Sequence, residues 1–184
     1  MKPKALLLAW CLWAASGLQA GALDEAFAGL GKHRGVTADF TMTRELKILK
    51  RPFVSQGRFT FTKDQGLLWE TLHPFAQSLR ISSQGELLNG TEGGKQEQLA
   101  QVAKIFYQLS SGILQGNRQE LERWFEIQET AAHQLRLVPR SNAVGQAMRQ
   151  IELEVAPGGK VQTLVILGQD FKMTLAFSKL VYLE

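Results

Sequence analysis

Gln150-Ile151-Glu152-Leu153-Glu154-Val155, the turn Pro157-Gly158-Gly159, the run Val161 to Leu167, the turn Gly168-Gln169-Asp170 and Phe171-Lys172-Met173-Thr174-Leu175-Ala176-Phe177-Ser178 together decide the fold. In the first and last of these segments apolar and polar side chains alternate, so each has one apolar and one polar side when extended. Short Gly- and Pro-bearing turns join the segments. The pattern predicts an antiparallel meander with one face turned to a core.

Upstream the same period of two recurs. Val36, Ala38, Phe40 and Met42 alternate with Thr37, Asp39, Thr41 and Thr43, and Phe53, Phe59 and Phe61 follow Arg51-Pro52. Gly66 to Leu72 and Ser78 to Ile81 read as strands separated by His73-Pro74, and Gln84-Gly85 as a tight turn before Leu87 and Leu88. Trp124 to Ile127 and Leu135 to Val138 read as two more. Helical spacing appears from Gln98 to Leu114, where Leu99, Val102, Ala103, Phe106, Leu109 and Ile113 lie opposite Gln101, Lys104 and Gln108. Shorter helices are predicted over Leu23 to Leu30 and Arg118 to Glu122, with 140–148 a connecting loop or helical turn. The predicted class is mainly β with helices (α+β). A sheet of about ten strands curls or closes, giving an incomplete antiparallel barrel or strongly curled sheet with an α-helical lid over an apolar cavity.

The start of the chain sets the compartment. Met1-Lys2-Pro3-Lys4 is cationic, Ala5 to Ala15 is an apolar run too short to span a bilayer, and Ala20-Gly21-Ala22 is a small-residue cleavage site. The expectation is a signal peptide over 1–22 and one domain over 23–184. Cys11, the only cysteine, would leave with the signal. The mature chain would then have no disulfide, no thiolate metal site and no cysteine nucleophile. Losing Lys2 and Lys4 takes Lys and Arg from 21 to 19 against 17 Asp and Glu, too slight an excess to point to nucleic acid.

Catalytic constellations are missing from the pattern. His33, His73 and His133 are scattered without metal-ligand spacing, the serines form no nucleophile elbow, and Gly93-Gly94-Lys95 lacks the spacing of a phosphate loop. Neither an enzyme, a metal nor a cofactor is expected. If a barrel enzyme were nonetheless built here, Arg44, Arg80 or His73 would be the polar groups to examine. The candidate site is therefore apolar: Phe40, Met42, Phe59, Phe61, Trp69, Leu79, Ile81, Leu153, Val165, Met173 and Leu175 as cavity wall, with Leu99, Val102, Phe106, Leu109 and Ile113 as lid. Each taken singly reads more readily as ordinary core; together they would form a soft wall rich in phenylalanine and methionine.

Phe40-Thr41-Met42-Thr43-Arg44, Ser55-Gln56-Gly57-Arg58-Phe59-Thr60-Phe61, Leu68-Trp69-Glu70-Thr71-Leu72-His73-Pro74-Phe75 and Leu79-Arg80-Ile81-Ser82-Ser83-Gln84-Gly85 resemble, in order and spacing, the N-terminal half of the LolA-like periplasmic lipoprotein carriers of Gram-negative bacteria. The resemblance implies an unclosed barrel with a helical lid. It also implies the cargo, the acyl chains of a lipoprotein or a similar lipid, passed from an inner-membrane exporter to an outer-membrane acceptor by a monomer. In the family an arginine ties the lid shut; its position here holds Asp64, beside Lys63, which marks a divergent subfamily. A sensor or assembly factor on the same scaffold is the alternative. Sheltering a sixteen-carbon chain would gain on the order of 10 kcal/mol at about 0.8 kcal/mol per CH₂. A releasable cargo therefore requires competition, and the lid's own apolar face is expected to compete with the acyl chain for one concave surface.

Overall fold

The computed structural model describes Asp24, residues 32–89, 107–112, 118–141, Gly145, 148–157 and 159–184. Ten strands form one antiparallel sheet: β1 (Gly35–Leu46), β2 (Phe53–Thr62), β3 (Gly66–His73), β4 (Gln77–Ile81), β5 (Leu87–Asn89), β6 (Phe125–Ala131), β7 (Gln134–Pro139), β8 (Gln150–Val155), β9 (Val161–Leu167) and β10 (Phe171–Leu183). Their spatial order is β5-β4-β3-β2-β1-β10-β9-β8-β7-β6. Each half is a meander of neighbours along the chain, and the halves meet at a seam where Gly35 pairs with Leu183 and Leu46 with Phe171. The sheet does not close, since β5 and β6 are its two ends. Twist accumulated over ten strands curls it instead.

The alternation read from the sequence fixes which face is inward. Val36, Ala38, Phe40 and Met42 are buried, and the register continues their rows across the sheet. Leu79, Trp69, Phe59 and Ala38 stand side by side, as do Ile81, Leu67, Phe61 and Val36. Beyond the seam Met42, Leu175, Leu164, Leu153 and Leu135 form one row, and Met173, Ile166, Ile151, Leu137 and Ile127 the next. A glycine makes one crossing possible. A Cβ at Gly57 would lie 2.0 Å from the Glu70 carbonyl oxygen and 2.6 Å from the Phe40 ring. Without it the Phe40 ring settles against Trp69, with centroids 4.2 Å apart.

The described helical residues Leu109 and Leu121 belong to the same buried cluster as the inner face of the sheet. The chain leaves the sheet at β5, one end, and rejoins it at β6, the other. Two described stretches of this connection are helical, α1 (residues 107–112) and α2 (Arg118–Trp124). Within α2, Arg118 Nε bonds Glu122 Oε1 at 2.7 Å, an i,i+4 pair. At its far end Arg140 Nε donates to the Glu122 carbonyl oxygen at 2.7 Å, satisfying an acceptor that a helix C-terminus leaves open. The helix runs through Trp124, so β6 starts at Phe125, one residue later than the alternation predicts.

The alternation of β10 runs through Ser178, and the strand continues to Leu183. The register slips between Thr37 and Asp39, whose partners are Val181 and Ser178, and Lys179 has φ of +50°. This bulge puts extra residues opposite Ala38 and breaks the period of two without ending the strand. On the polar face beside it, Asp39 accepts from Arg58 at 2.7 Å and from Lys179 at 3.0 Å, clipping β2 and β10 to β1. These bonds hold the Asp39 carboxyl below the usual carboxylate range, that from Arg58 contributing most.

Candidate functional site

Ten of the eleven predicted wall residues come together on the concave face: Phe40, Met42, Phe59, Phe61, Trp69, Leu79, Ile81, Leu153, Met173 and Leu175 are all 0–7% exposed. Val165 is the exception and needs correcting. It pairs with Glu152 and Thr174, on the polar side of the sheet, while Leu164 and Ile166 take the inward positions. The segment Val161 to Leu167 is apolar at Val161, Leu164, Val165, Ile166 and Leu167. Its alternation is therefore masked, and register with β8 is what decides the face.

The wall also holds residues the sequence reading passed over. Leu67, Leu135, Leu137, Ile151 and Val155 are as deeply buried as the residues it named. Their signal was present in the alternation of β7 and β8 and in their pairing. Gly66 and Leu67 are a buried strand start rather than an exposed tip. Gly66 has φ of +88°, and a Cβ there would sit 2.2 Å from the Ile81 carbonyl oxygen, so glycine is required where β3 turns in beside β4.

Of the lid, Leu109 is described and is 2% exposed on α1. Leu99, Val102, Phe106 and Ile113 lie outside the described residues, as do most of the predicted helix over Leu23 to Leu30 and the predicted signal. Tyr107, which the sequence reading did not choose, is the visible anchor of α1. Its ring lies 5.7 Å from that of Phe61, and its hydroxyl donates to the Ser83 carbonyl oxygen. Burial pushes the Tyr107 hydroxyl up, so it stays protonated and able to donate. Gly112 of α1 lies beside Leu121 of α2, where a Cβ would make only ordinary contact.

Aromatic side chains fill much of the covered face on the β1–β4 side. Phe59 meets Phe177 edge-on at 5.4 Å, in addition to the Phe40–Trp69 contact. The inner face also carries polar atoms. Ser55 Oγ, opposite Met42, is buried and has no hydrogen-bond partner among the described residues. A crevice of about 300 Å³ opens where α1 meets the Gln84-Gly85 turn, bounded by Tyr107, Ser111 and Trp124. Asp64, at the position of the family's lid arginine, sits in the exposed β2–β3 turn, 3.7 Å from Arg34. His73 and Arg80 are exposed on the sheet and are not among the residues that line this crevice. Among the described residues no group of three or more His, Cys, Asp or Glu could hold a metal.

An unclosed antiparallel sheet with described helical segments against its buried face agrees with the unclosed sheet and helical cover that the sequence resemblance implies. The described fold is an unclosed, ten-stranded antiparallel sheet with helical segments. No family model matches the chain, and no curated protein does. Among solved structures, the crystal structure of MucB aligns with a TM-score of 0.50 at 13% identity, over 88% of this chain and 57% of that one. The Pseudomonas aeruginosa MucA/MucB complex aligns at 0.47 and 14% identity, over 87% and 55%. A LolA superfamily protein from Nitrosomonas europaea aligns at 0.42 and 9%, over 89% and 92%. The chain thus spans little more than half of the MucB chains it matches.

Proposed function

We propose that this protein is a periplasmic carrier that shields the acyl chains of a lipoprotein or related lipid on the way to the outer membrane. The observation that carries the reading is the kind of cover: a broad apolar concave face lies under a helical connection rather than under a second sheet. The described part of that cover is held by the Tyr107 hydroxyl, by the Tyr107–Phe61 ring contact and by Leu109. An acyl chain entering at the crevice beside Tyr107 would take over the burial that Leu109 and Tyr107 now supply, so loading and cover release become one competition. Exporter and acceptor proteins in the two membranes are the partners this reading requires; catalysis plays no part in it.

Mass spectrometry of lipids extracted from protein purified from the native periplasm tests it directly. A diacyl or triacyl species at near-stoichiometric yield is expected. Leu109→Asp, still folded by circular dichroism, should change uptake of a fluorescent acyl probe several-fold. Absence of lipid together with unaltered probe uptake would overturn the carrier reading.

A second reading follows from the MucB match, the one at a TM-score of 0.50, because MucB is known in complex with MucA. On this reading the same fold would sense lipid or an outer-membrane protein and signal by contact. Stable capture of a protein partner with no lipid moved between vesicles would favour it over transport.

A further inference from the structure

One rim of the sheet carries apolar side chains that the fold itself does not use. In the β1–β2 loop Ile48 is 87% and Leu49 51% exposed, and at the start of β2 Phe53 and Val54 are nearly half exposed. The register that pairs Gln56 with His73 brings the β3–β4 loop alongside, with Leu72 and Phe75 exposed as well. Scattered exposed leucines are ordinary, but a cluster at the tips of two neighbouring loops is not.

Charge on the same rim is one-sided. A recess of about 410 Å³ at the base of the β1–β2 loop is bordered by Lys47, Lys50, Arg51, Arg149 and Lys172 against two carboxylates, Glu45 and Asp170. Both carboxylates are already engaged, Asp170 by Lys47 at 3.1 Å and Glu45 by Lys172 at 3.7 Å. Lys50 and Arg51, next to the apolar tip, have no carboxylate partner among the described residues. An apolar tip ringed by cations matches the layering of an anionic bilayer, hydrocarbon beneath and phosphate above.

We infer that this rim docks on an anionic membrane surface, Ile48 and Leu49 entering the interface while Lys50, Arg51 and Arg149 lie against lipid phosphates. The inference goes beyond the carrier reading and does not depend on it, because docking requires no cargo. It would set the β1–β2 end of the sheet towards the bilayer, away from the end that holds Asp64 and Glu184.

The experiment is sedimentation of the mature chain with sonicated vesicles of equal phosphatidylglycerol and phosphatidylcholine, beside vesicles of phosphatidylcholine alone. Anionic vesicles are expected to bind at least about tenfold more protein, and Lys50→Glu with Arg51→Glu should remove most of that difference. Ile48→Asp with Leu49→Asp should abolish binding, while Val181→Asp, on exposed β10, should leave it unchanged. Since Ile48 is almost wholly exposed, its replacement does not threaten folding. As a second measurement, an environment-sensitive dye on Ile48→Cys should shift to the blue on anionic vesicles, and the same dye on Val181→Cys should not. Equal binding to both vesicle types, full binding by the doubly acidic variant, or no binding by the unaltered chain would each overturn the inference.

Discussion

Across the β1–β10 seam the inner face changes its chemistry. On the β1–β4 side the rows are aromatic, built on Phe40, Phe59, Phe61 and Trp69, with Gly57 and Ser55 between them. On the β7–β9 side they are aliphatic, built on Leu135, Leu137, Ile151, Leu153, Leu164 and Ile166. Branched aliphatic side chains interlock and tolerate little rearrangement. Flat rings stacked over a glycine can tilt past one another, and this is the side on which Tyr107 of the cover rests. The contrast suggests a division of labour in which the aliphatic half keeps the sheet's shape and the aromatic half yields to a guest.

The widest test of that contrast truncates one residue on each side. Trp69→Ala should cost about 3–5 kcal/mol and Leu137→Ala about 2–5 kcal/mol, both read by urea unfolding. Only Trp69→Ala should alter acyl-probe uptake. Equal disturbance of uptake by the two variants would erase the distinction. Gly57→Ala comes next, at about 1–3 kcal/mol, because its methyl meets the Glu70 carbonyl and the Phe40 ring at once. Ser55→Ala should act the other way. The hydroxyl is buried without a partner among the described residues, so its removal is expected to be neutral or to stabilise by up to about 1 kcal/mol. A clear loss of stability would reveal a bond to the hydroxyl.

The smallest effect concerns pH and the polar side of the seam. The folded-state pKa of Asp39 is lowered by Arg58 and Lys179. Its contribution is therefore present above the ordinary carboxylate value and is lost as pH falls through the lowered one. Asp39→Asn should flatten that part of the Tm-against-pH curve and leave neutral-pH acyl-probe uptake unchanged. A curve that keeps its slope in the variant would assign the acid sensitivity elsewhere.

Much of this arrangement was legible from alternation alone. All ten strands were foreshadowed, because half-buried antiparallel strands write their faces into the chain. Val165 was misplaced because its neighbours are apolar on both sides, and only pairing with Glu152 shows which way it points. The bulge opposite Ala38 shows only in the register of β10 with β1, since it breaks the period without breaking the strand. Tyr107 was overlooked since an aromatic with a polar tip counts weakly in a hydrophobic stripe. The basic, apolar rim left no periodic trace, for loops have none. Its members come from 45–54, 72–75, Arg149 and 168–172 and become neighbours only through the sheet's register.

The seam has a kinetic corollary. Every other pairing in the sheet joins strands consecutive in sequence, whereas β1 and β10 are the first and last strands, so their union demands the longest loop closure and should come late. Until then a nascent chain holds β1 with one bare flank, an invitation to mispairing. Asp39, Arg44 and Glu45 along that strand supply the charges that discourage a stranger from taking β10's place.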